Sequence, residues 1–332
     1  MGALPITRAT TEKPVAHGGE LGAIRKRFPH APEPWLDLST GINPVPYPVR
    51  TLPPEIWARL PTWHQERALL EAAATRYGVR DLATIVVAPG TQALIQLLPR
   101  LVSKSRVAIV GPTYEEHQAC WARQGHDVNV VSSLDRATGA DVVVVVSPNN
   151  PTGQLLPPTA LHRLNGLLIV DEAFVDLLPP EASLAGDLPA NTIVLRSFGK
   201  AYGLAGVRLG FAIAEESFAA RIRDELGPWA VSSPALEIGR QALEDSAWLR
   251  AATARLGADR QRLDALLVQA GFEILGGTSL FCLTHHRDAA DLGDRLARQG
   301  IHVRRFTREP HWLRFGLPAT GDEFDRVAAA LA

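Results

Sequence analysis

Ser197-Phe198-Gly199-Lys200-Ala201-Tyr202-Gly203-Leu204-Ala205-Gly206-Val207-Arg208-Leu209-Gly210 decides how this chain is read. The protein has 34 Lys+Arg but only four lysines: Lys13, Lys26, Lys104 and Lys200. Lys200 follows the strand-like run 192–195 and sits among glycines and small residues, which is no setting for an ordinary solvated lysine. An amine so placed is suited to form a Schiff base with an aldehyde. Ser197, three residues before it, and Arg208, eight after it, suit a phosphate. Together these residues read as a pocket for pyridoxal 5'-phosphate (PLP).

On either side of this segment, short apolar runs alternate with helix-like stretches. Residues 84–88, 106–110, 142–146, 167–170, 192–195 and 209–214 are the strand candidates. Several are apolar throughout, as strands covered on both faces are. The alternation predicts an α/β fold with a mostly parallel sheet, and sites in such sheets gather in the loops at the C-terminal strand ends. Residues 1–48, rich in proline, predict an arm; 49–220 predict the large PLP-binding domain; 221–332 predict a smaller α+β domain. In that last part 249–269 and 289–299 are amphipathic helices, set among strand-like pieces at 279–284, 301–303 and 312–316.

The chain of 332 residues, 46% hydrophobic, is long enough for one large or two unequal domains. A net charge of −1 gives no global reason to bind nucleic acid or an anionic membrane, so an anionic ligand must be held by a few local arginines. Cys120 and Cys282 form no metal-binding or disulfide spacing, and no metal is predicted; a reduced, cytoplasmic protein is the simplest reading. Arg8, Glu12 and Lys13 break up the first residues, which argues against a signal peptide. No apolar run approaches the roughly 18 residues of a membrane span.

Three further motifs follow strand candidates. In Ala88-Pro89-Gly90-Thr91-Gln92-Ala93 a strand ends and a helix predicted over 91–101 begins. The free N–H groups of Gly90, Thr91 and Gln92 suit an anion, although a plain strand–helix turn has the same pattern. In Ser147-Pro148-Asn149-Asn150-Pro151-Thr152-Gly153 two prolines stiffen a loop that presents Asn150, an amide able to bond a phenolic oxygen; an Asx-capped turn reads alike. In Leu168-Ile169-Val170-Asp171-Glu172-Ala173-Phe174, Asp171 closes an apolar strand and needs a cationic partner there. A protonated pyridine nitrogen would serve, as would a metal or a helix N-cap. No GxxxxGK[ST] accompanies it, since Ala201 follows Gly199-Lys200, and no GxGxxG follows an early strand.

In order and spacing, Gly90-Thr91, Tyr114, Asn150, Asp171, Ser197, Lys200 and Arg208 resemble the class I/II aminotransferase superfamily of fold-type-I PLP enzymes over nearly the whole chain. The resemblance implies that Asn150 and Asp171 contact the oxygen and nitrogen of the cofactor ring and that Tyr114 stacks on its face. Ser197, Arg208 and the Gly90-Thr91-Gln92 turn would take its phosphate, Lys200 its aldehyde, and Arg314 the substrate α-carboxylate. It also implies a homodimer. Phe174 stands where many aminotransferases carry a tyrosine. Leu60 stands where a tyrosine from the neighbouring subunit often meets the cofactor phosphate, leaving Tyr47 or His64 as possible substitutes.

The arm narrows the resemblance. His17-Gly18-Gly19-Glu20 with Trp35-Leu36-Asp37-Leu38-Ser39-Thr40-Gly41-Ile42-Asn43-Pro44 is similar to the threonine-phosphate decarboxylases of cobalamin biosynthesis. That resemblance implies decarboxylation of L-threonine O-3-phosphate to (R)-1-amino-2-propanol O-2-phosphate, with His17, Gly18, Gly19, Ser39, Asn43, Arg304 and Arg314 around the substrate. In Arg304-Arg305 strand alternation predicts one side chain inward and one solvated. The alternatives are an aminotransferase of the histidinol-phosphate type and a non-catalytic binding module on the same fold.

Overall fold

The computed structural model describes residues 17–332; Arg8, Glu12 and Lys13, on which the signal-peptide expectation rests, lie outside them. Among the described residues, twelve strands are arranged in two sheets. They are β1 (Leu36–Leu38), β2 (Ile85–Ala88), β3 (Arg106–Val110), β4 (Asp127–Val131), β5 (Val142–Val146) and β6 (Leu167–Asp171), then β7 (Thr192–Ser197), β8 (Gly210–Ile213), β9 (Glu273–Thr278), β10 (Phe281–His285), β11 (Ile301–Arg305) and β12 (Trp312–Gly316).

The larger sheet has seven strands in the order β2-β8-β7-β6-β5-β3-β4. β3 to β7 are mutually parallel, whereas β8 runs antiparallel to both β7 and β2. β5 is five valines, all buried, and β6, β7 and β8 are buried along their length except for Leu167. Such strands are apolar on both faces because helices cover both faces. The core divides accordingly. Val86, Leu94, Ile109 and Trp121 pack on one side, whereas Leu69, Val87, Val145 and Phe211 pack on the other.

This topology puts one edge of the sheet to use. The C-terminal ends of β2, β3, β5, β6 and β7 all point the same way, and the reversed β8 brings its N-terminal end to that edge too. Gly90, Tyr114, Asn150 and Lys200 follow the parallel strands, Asp171 ends β6, and Arg208 precedes β8.

The smaller sheet has five strands, β1-β11-β12-β10-β9, antiparallel except for β1, which lies parallel to β11. β1 comes from the predicted arm, so that segment is built into the sheet rather than laid over it. The predicted helix over 91–101 ends at Leu97 and passes into a tighter turn, Leu98–Arg100. Pro99 has no N–H to give and crowds the preceding turn. The strand predicted over 279–284 is Phe281–His285, with residues 279 and 280 in the turn from β9. The amphipathic stretches are helices Ser246–Gln269 and Ala289–Arg298. Among the described residues no helix is long and apolar enough to cross a membrane, and no group of metal-ligating side chains assembles.

Candidate active site

At the shared edge lies a cavity of about 200 Å³ lined by Gly90, Thr91, Gln92, Tyr114, Asn150, Asp171, Phe174, Ser197, Lys200 and Arg208, among others. Every cofactor residue expected from the sequence therefore faces one space.

Lys200 is the third residue of the short helix Phe198–Ala201, set off directly from β7. Its Nζ lies 5.7 Å from the centre of the Phe174 ring. Burial pushes its ammonium down to about 8; Arg314 and Arg208 push the same way, and Asp171 opposes them. An amine near neutrality is the form that attacks a carbonyl.

Asp171 ends β6 in a buried position. Its Oδ2 accepts from His117 Nε2 at 3.1 Å, and its Oδ1 accepts from the Ala173 N–H at 3.0 Å. His117 is itself buried, on the helix Glu115–Arg123. Sequence reading missed it. The two residues are 54 positions apart, and the only signal was a histidine three places beyond Tyr114.

Gly90 has φ 84°, and a Cβ there would lie 2.6 Å from Arg208 Nη2. Only glycine combines that backbone with that approach. Arg208, itself left-handed at φ 56°, donates from Nη1 to the Ala205 carbonyl at 3.0 Å. Gly90, Thr91, Ser197 and Arg208 thus form one wall of N–H, O–H and guanidinium groups, the donor set a phosphate requires.

Tyr114 OH donates to Gln92 Oε1 at 3.1 Å, and Gln92 Nε2 donates to Glu116 Oε2 at 2.9 Å. The other Glu116 oxygen lies 3.1 Å from His17 Nε2. Gln92 is thereby fixed in orientation and ties the aromatic wall to the arm.

Arg314, in β12, is buried; its Nη1 donates to Asn150 Oδ1 and its Nη2 to the Ser39 carbonyl at 2.8 Å. Because arginine only donates, the Asn150 oxygen is engaged and its NH2 group is what remains for a ring oxygen. Burial, with Arg304 adding to it, lowers the Arg314 guanidinium to about 9, as an uncompensated cation awaiting an anion would be. Arg304 is paired with Arg314 across β11 and β12. Burial lowers its guanidinium as well, while the nearby Glu115 and Tyr114 oppose that. Arg305 donates to Asp294 at 2.5 Å, so the arginine that alternation predicts to be solvated is instead half-buried in an ion pair.

Among the expected substrate residues, Asn43, Ser39 and Gly19 hold neighbouring segments of the chain rather than facing the cavity. Asn43 Nδ2 donates to the Ala201 carbonyl at 2.9 Å, and its Oδ1 accepts from Arg255 Nη2 at 2.8 Å. Its backbone N–H bonds the Lys200 carbonyl at 2.9 Å, so Asn43 braces the lysine turn. Ser39 Oγ donates to Asp37 and accepts the Gly19 N–H at 2.7 Å. Gly18 packs so closely on the Ser39 carbonyl that a Cβ would collide with it. His17 rests beside Tyr114, with ring centres 6.0 Å apart. Of the two substitutes considered for the missing tyrosine, Tyr47 is buried, its OH 3.4 Å from the Gln241 carbonyl, and His64 is exposed.

A sheet edge carrying a half-buried lysine between a carboxylate and a phosphate-type cradle defines a class of cofactor-dependent enzymes. Residues 49–331 match the family described as Aminotransferase class I and II, and the chain belongs to it. It is 45% identical to a threonine-phosphate decarboxylase of Sinorhizobium sp., over 96% of this chain and 98% of that protein. It is 39% identical to one of Pseudomonas aeruginosa, over 95% of this chain and 96% of the relative. Histidinol-phosphate aminotransferase of Escherichia coli O9:H4 is 29% identical, over 80% and 82% of the two chains. The fold is similar to that of histidinol-phosphate aminotransferase from Sinorhizobium meliloti in complex with pyridoxal-5'-phosphate (TM-score 0.80, 22% identity, 98% of both chains). It is also similar to L-threonine-O-3-phosphate decarboxylase from Porphyromonas gingivalis (TM-score 0.73, 21% identity, 89% of this chain and 98% of that one).

Proposed function

We propose that this protein is a PLP-dependent decarboxylase that converts L-threonine O-3-phosphate to (R)-1-amino-2-propanol O-2-phosphate, a step serving cobalamin biosynthesis. The observation that carries the reading is the convergence of Lys200, Asp171, Asn150, Ser197 and Arg208 on one cavity with the Arg314–Arg304 pair and the 17–19 arm at its side. The extent of likeness to decarboxylases of that name supports the choice of reaction.

The residues fit PLP. Lys200 would hold its aldehyde carbon, Asp171 its pyridine N–H and Asn150 Nδ2 its ring oxygen. Tyr114 and Gln92 would border the ring, and Ser197, Thr91, Gly90 and Arg208 would hold its phosphate. When bound, PLP supplies an electron sink conjugated to the substrate Cα. His117 keeps Asp171 aimed. Arg314 takes the substrate carboxylate, and Arg304, with His17 and Gly18 of the arm, takes the phosphate. Two anchors at opposite ends of the substrate set its rotation about Cα, and that rotation selects which Cα bond breaks. As the carboxylate leaves as carbon dioxide, the bonding pair left at Cα would be held by that sink, and Lys200 Nζ, in its ammonium form, would return a proton to Cα. Gly19, Ser39 and Asn43 act in this reading by holding the arm and the lysine turn.

We also propose a homodimer in the cytoplasm and a division into arm 1–48, large domain 49–220 and small domain 221–332. Trp57, Leu60, Trp63 and Trp229 are more than half exposed, and the Ser233 hydroxyl bonded to the Arg59 carbonyl at 3.2 Å draws their two segments together. Such a patch suits burial against a second copy.

Carbon dioxide release from L-threonine O-3-phosphate by the PLP-loaded protein, with no keto acid present, tests the reaction. Sustained release with stoichiometric aminopropanol phosphate supports it. Turnover that requires 2-oxoglutarate, with histidinol phosphate as amino donor, would transfer the assignment to transamination.

A further inference from the structure

We infer that Asp37 is a positioning residue that couples docking of the N-terminal arm to the Arg314 fork. The inference rests on the reading of Arg314 as the carboxylate anchor. Asp37 is the middle residue of β1, and a single oxygen of its carboxylate, Oδ1, accepts two hydrogen bonds from Ser39. The Ser39 N–H lies at 2.9 Å and the Ser39 Oγ–H at 2.5 Å. A carboxylate only accepts, so the one hydroxyl hydrogen of Ser39 is committed to it.

Two consequences follow from that commitment. The Ser39 oxygen presents its lone pairs elsewhere, and the Gly19 N–H occupies one of them at 2.7 Å. The turn that the Ser39 N–H bond closes also fixes the Ser39 carbonyl, which accepts from Arg314 Nη2 at 2.8 Å. Gly18 packs on that same carbonyl. One fully buried residue therefore holds the arm with its side chain and the anchor guanidinium with its backbone. Asp37 orients both. Across β1 and β11 its neighbour is His302, whose imidazole the carboxylate also acts upon.

The test compares wild type, Asp37→Ala, Asp37→Asn and Ser39→Ala as full-length PLP-loaded proteins. Hydrogen–deuterium exchange over residues 17–20, without substrate, reads arm docking. KM and kcat for L-threonine O-3-phosphate read the fork. Losing charge-assisted bonds of this kind corresponds to about tenfold per site. Asp37→Ala should speed exchange about tenfold and raise KM about tenfold, with kcat changed less. Asp37→Asn keeps an accepting Oδ1 and should restore both to within about threefold. Ser39→Ala loses the Gly19 acceptor but keeps the carbonyl, so exchange should rise as in Asp37→Ala while KM rises less. Wild-type exchange in Asp37→Ala would overturn the inference. So would an Asn variant as impaired as the Ala variant, because the charge facing His302 would then be what matters. Should the wild type not decarboxylate this substrate, the functional reading fails, and the exchange experiment still decides the role of Asp37.

Discussion

Lys200 is a cation held where cations are disfavoured. Its ammonium titrates near 8 in the folded protein, against 10.5 for an ordinary lysine. Between those values the unfolded chain holds a proton that the folded chain has released. Stability from this group therefore rises with pH across that window, and below about 8 the cost of burying the charge is felt in full. Lys200→Met removes the cost. In urea unfolding of the PLP-free protein, the variant should exceed wild type by about 2 kcal/mol at pH 7, with the gap closing by pH 10. A gap that does not change with pH would contradict this origin. Gly90→Ala has the opposite character. The side chain meets left-handed backbone and the Arg208 guanidinium together, so PLP titration should show affinity lowered at least tenfold. The same substitution at Gly206, where a Cβ meets nothing within 4 Å, should leave it within about twofold.

At the scale of elements, β6 and β7 carry the chemistry on one side and a buried ion cluster just behind it. Arg196, immediately before Ser197, bonds Glu172, immediately after Asp171, at 3.2 Å, and also pairs with Asp176. Its guanidinium lies 4.2 Å from the Tyr77 ring. Two carboxylates share one arginine there, and burial raises Glu172 despite it. Arg196→Met would leave both carboxylates unpaired, with an expected loss of about 3–5 kcal/mol in denaturant unfolding. The stretches most readily read from sequence were those that face no solvent. β5, five valines, admits one interpretation, and Asp171 at the end of an apolar run is conspicuous. β4 (Asp127–Val131) is an edge strand with exposed residues, β1 has three residues, and β9 contains Gly276 and Gly277. None of these carries a strong period. The proposed cofactor residues were legible because each lies at or near the end of a buried strand. His117, Asp37 and the bracing role of Asn43 were not, because their partners are set by tertiary contact rather than spacing.

Over the whole molecule, the exposed tryptophans are the feature that a lone copy does not explain. Trp57, Trp63 and Trp229 lie 66%, 71% and 59% exposed. If a second copy covers them, Trp57→Glu with Trp63→Glu should shift sedimentation from dimer to monomer, because a carboxylate desolvated in an apolar contact has no partner. An unchanged dimer would place the contact elsewhere. The pairing of β1 with β11 bears on how the protein is made. Leu36 leaves the ribosome long before Ile301, its neighbour in the sheet. A parallel pairing between such distant segments is a late event in folding. Until β11 has been translated, the stretch that presents Ser39 has no sheet to join. A nascent chain stopped before residue 301 should therefore leave that stretch open to protease, so the grip on Arg314 and on the arm arises only after β11 and β12 have been made.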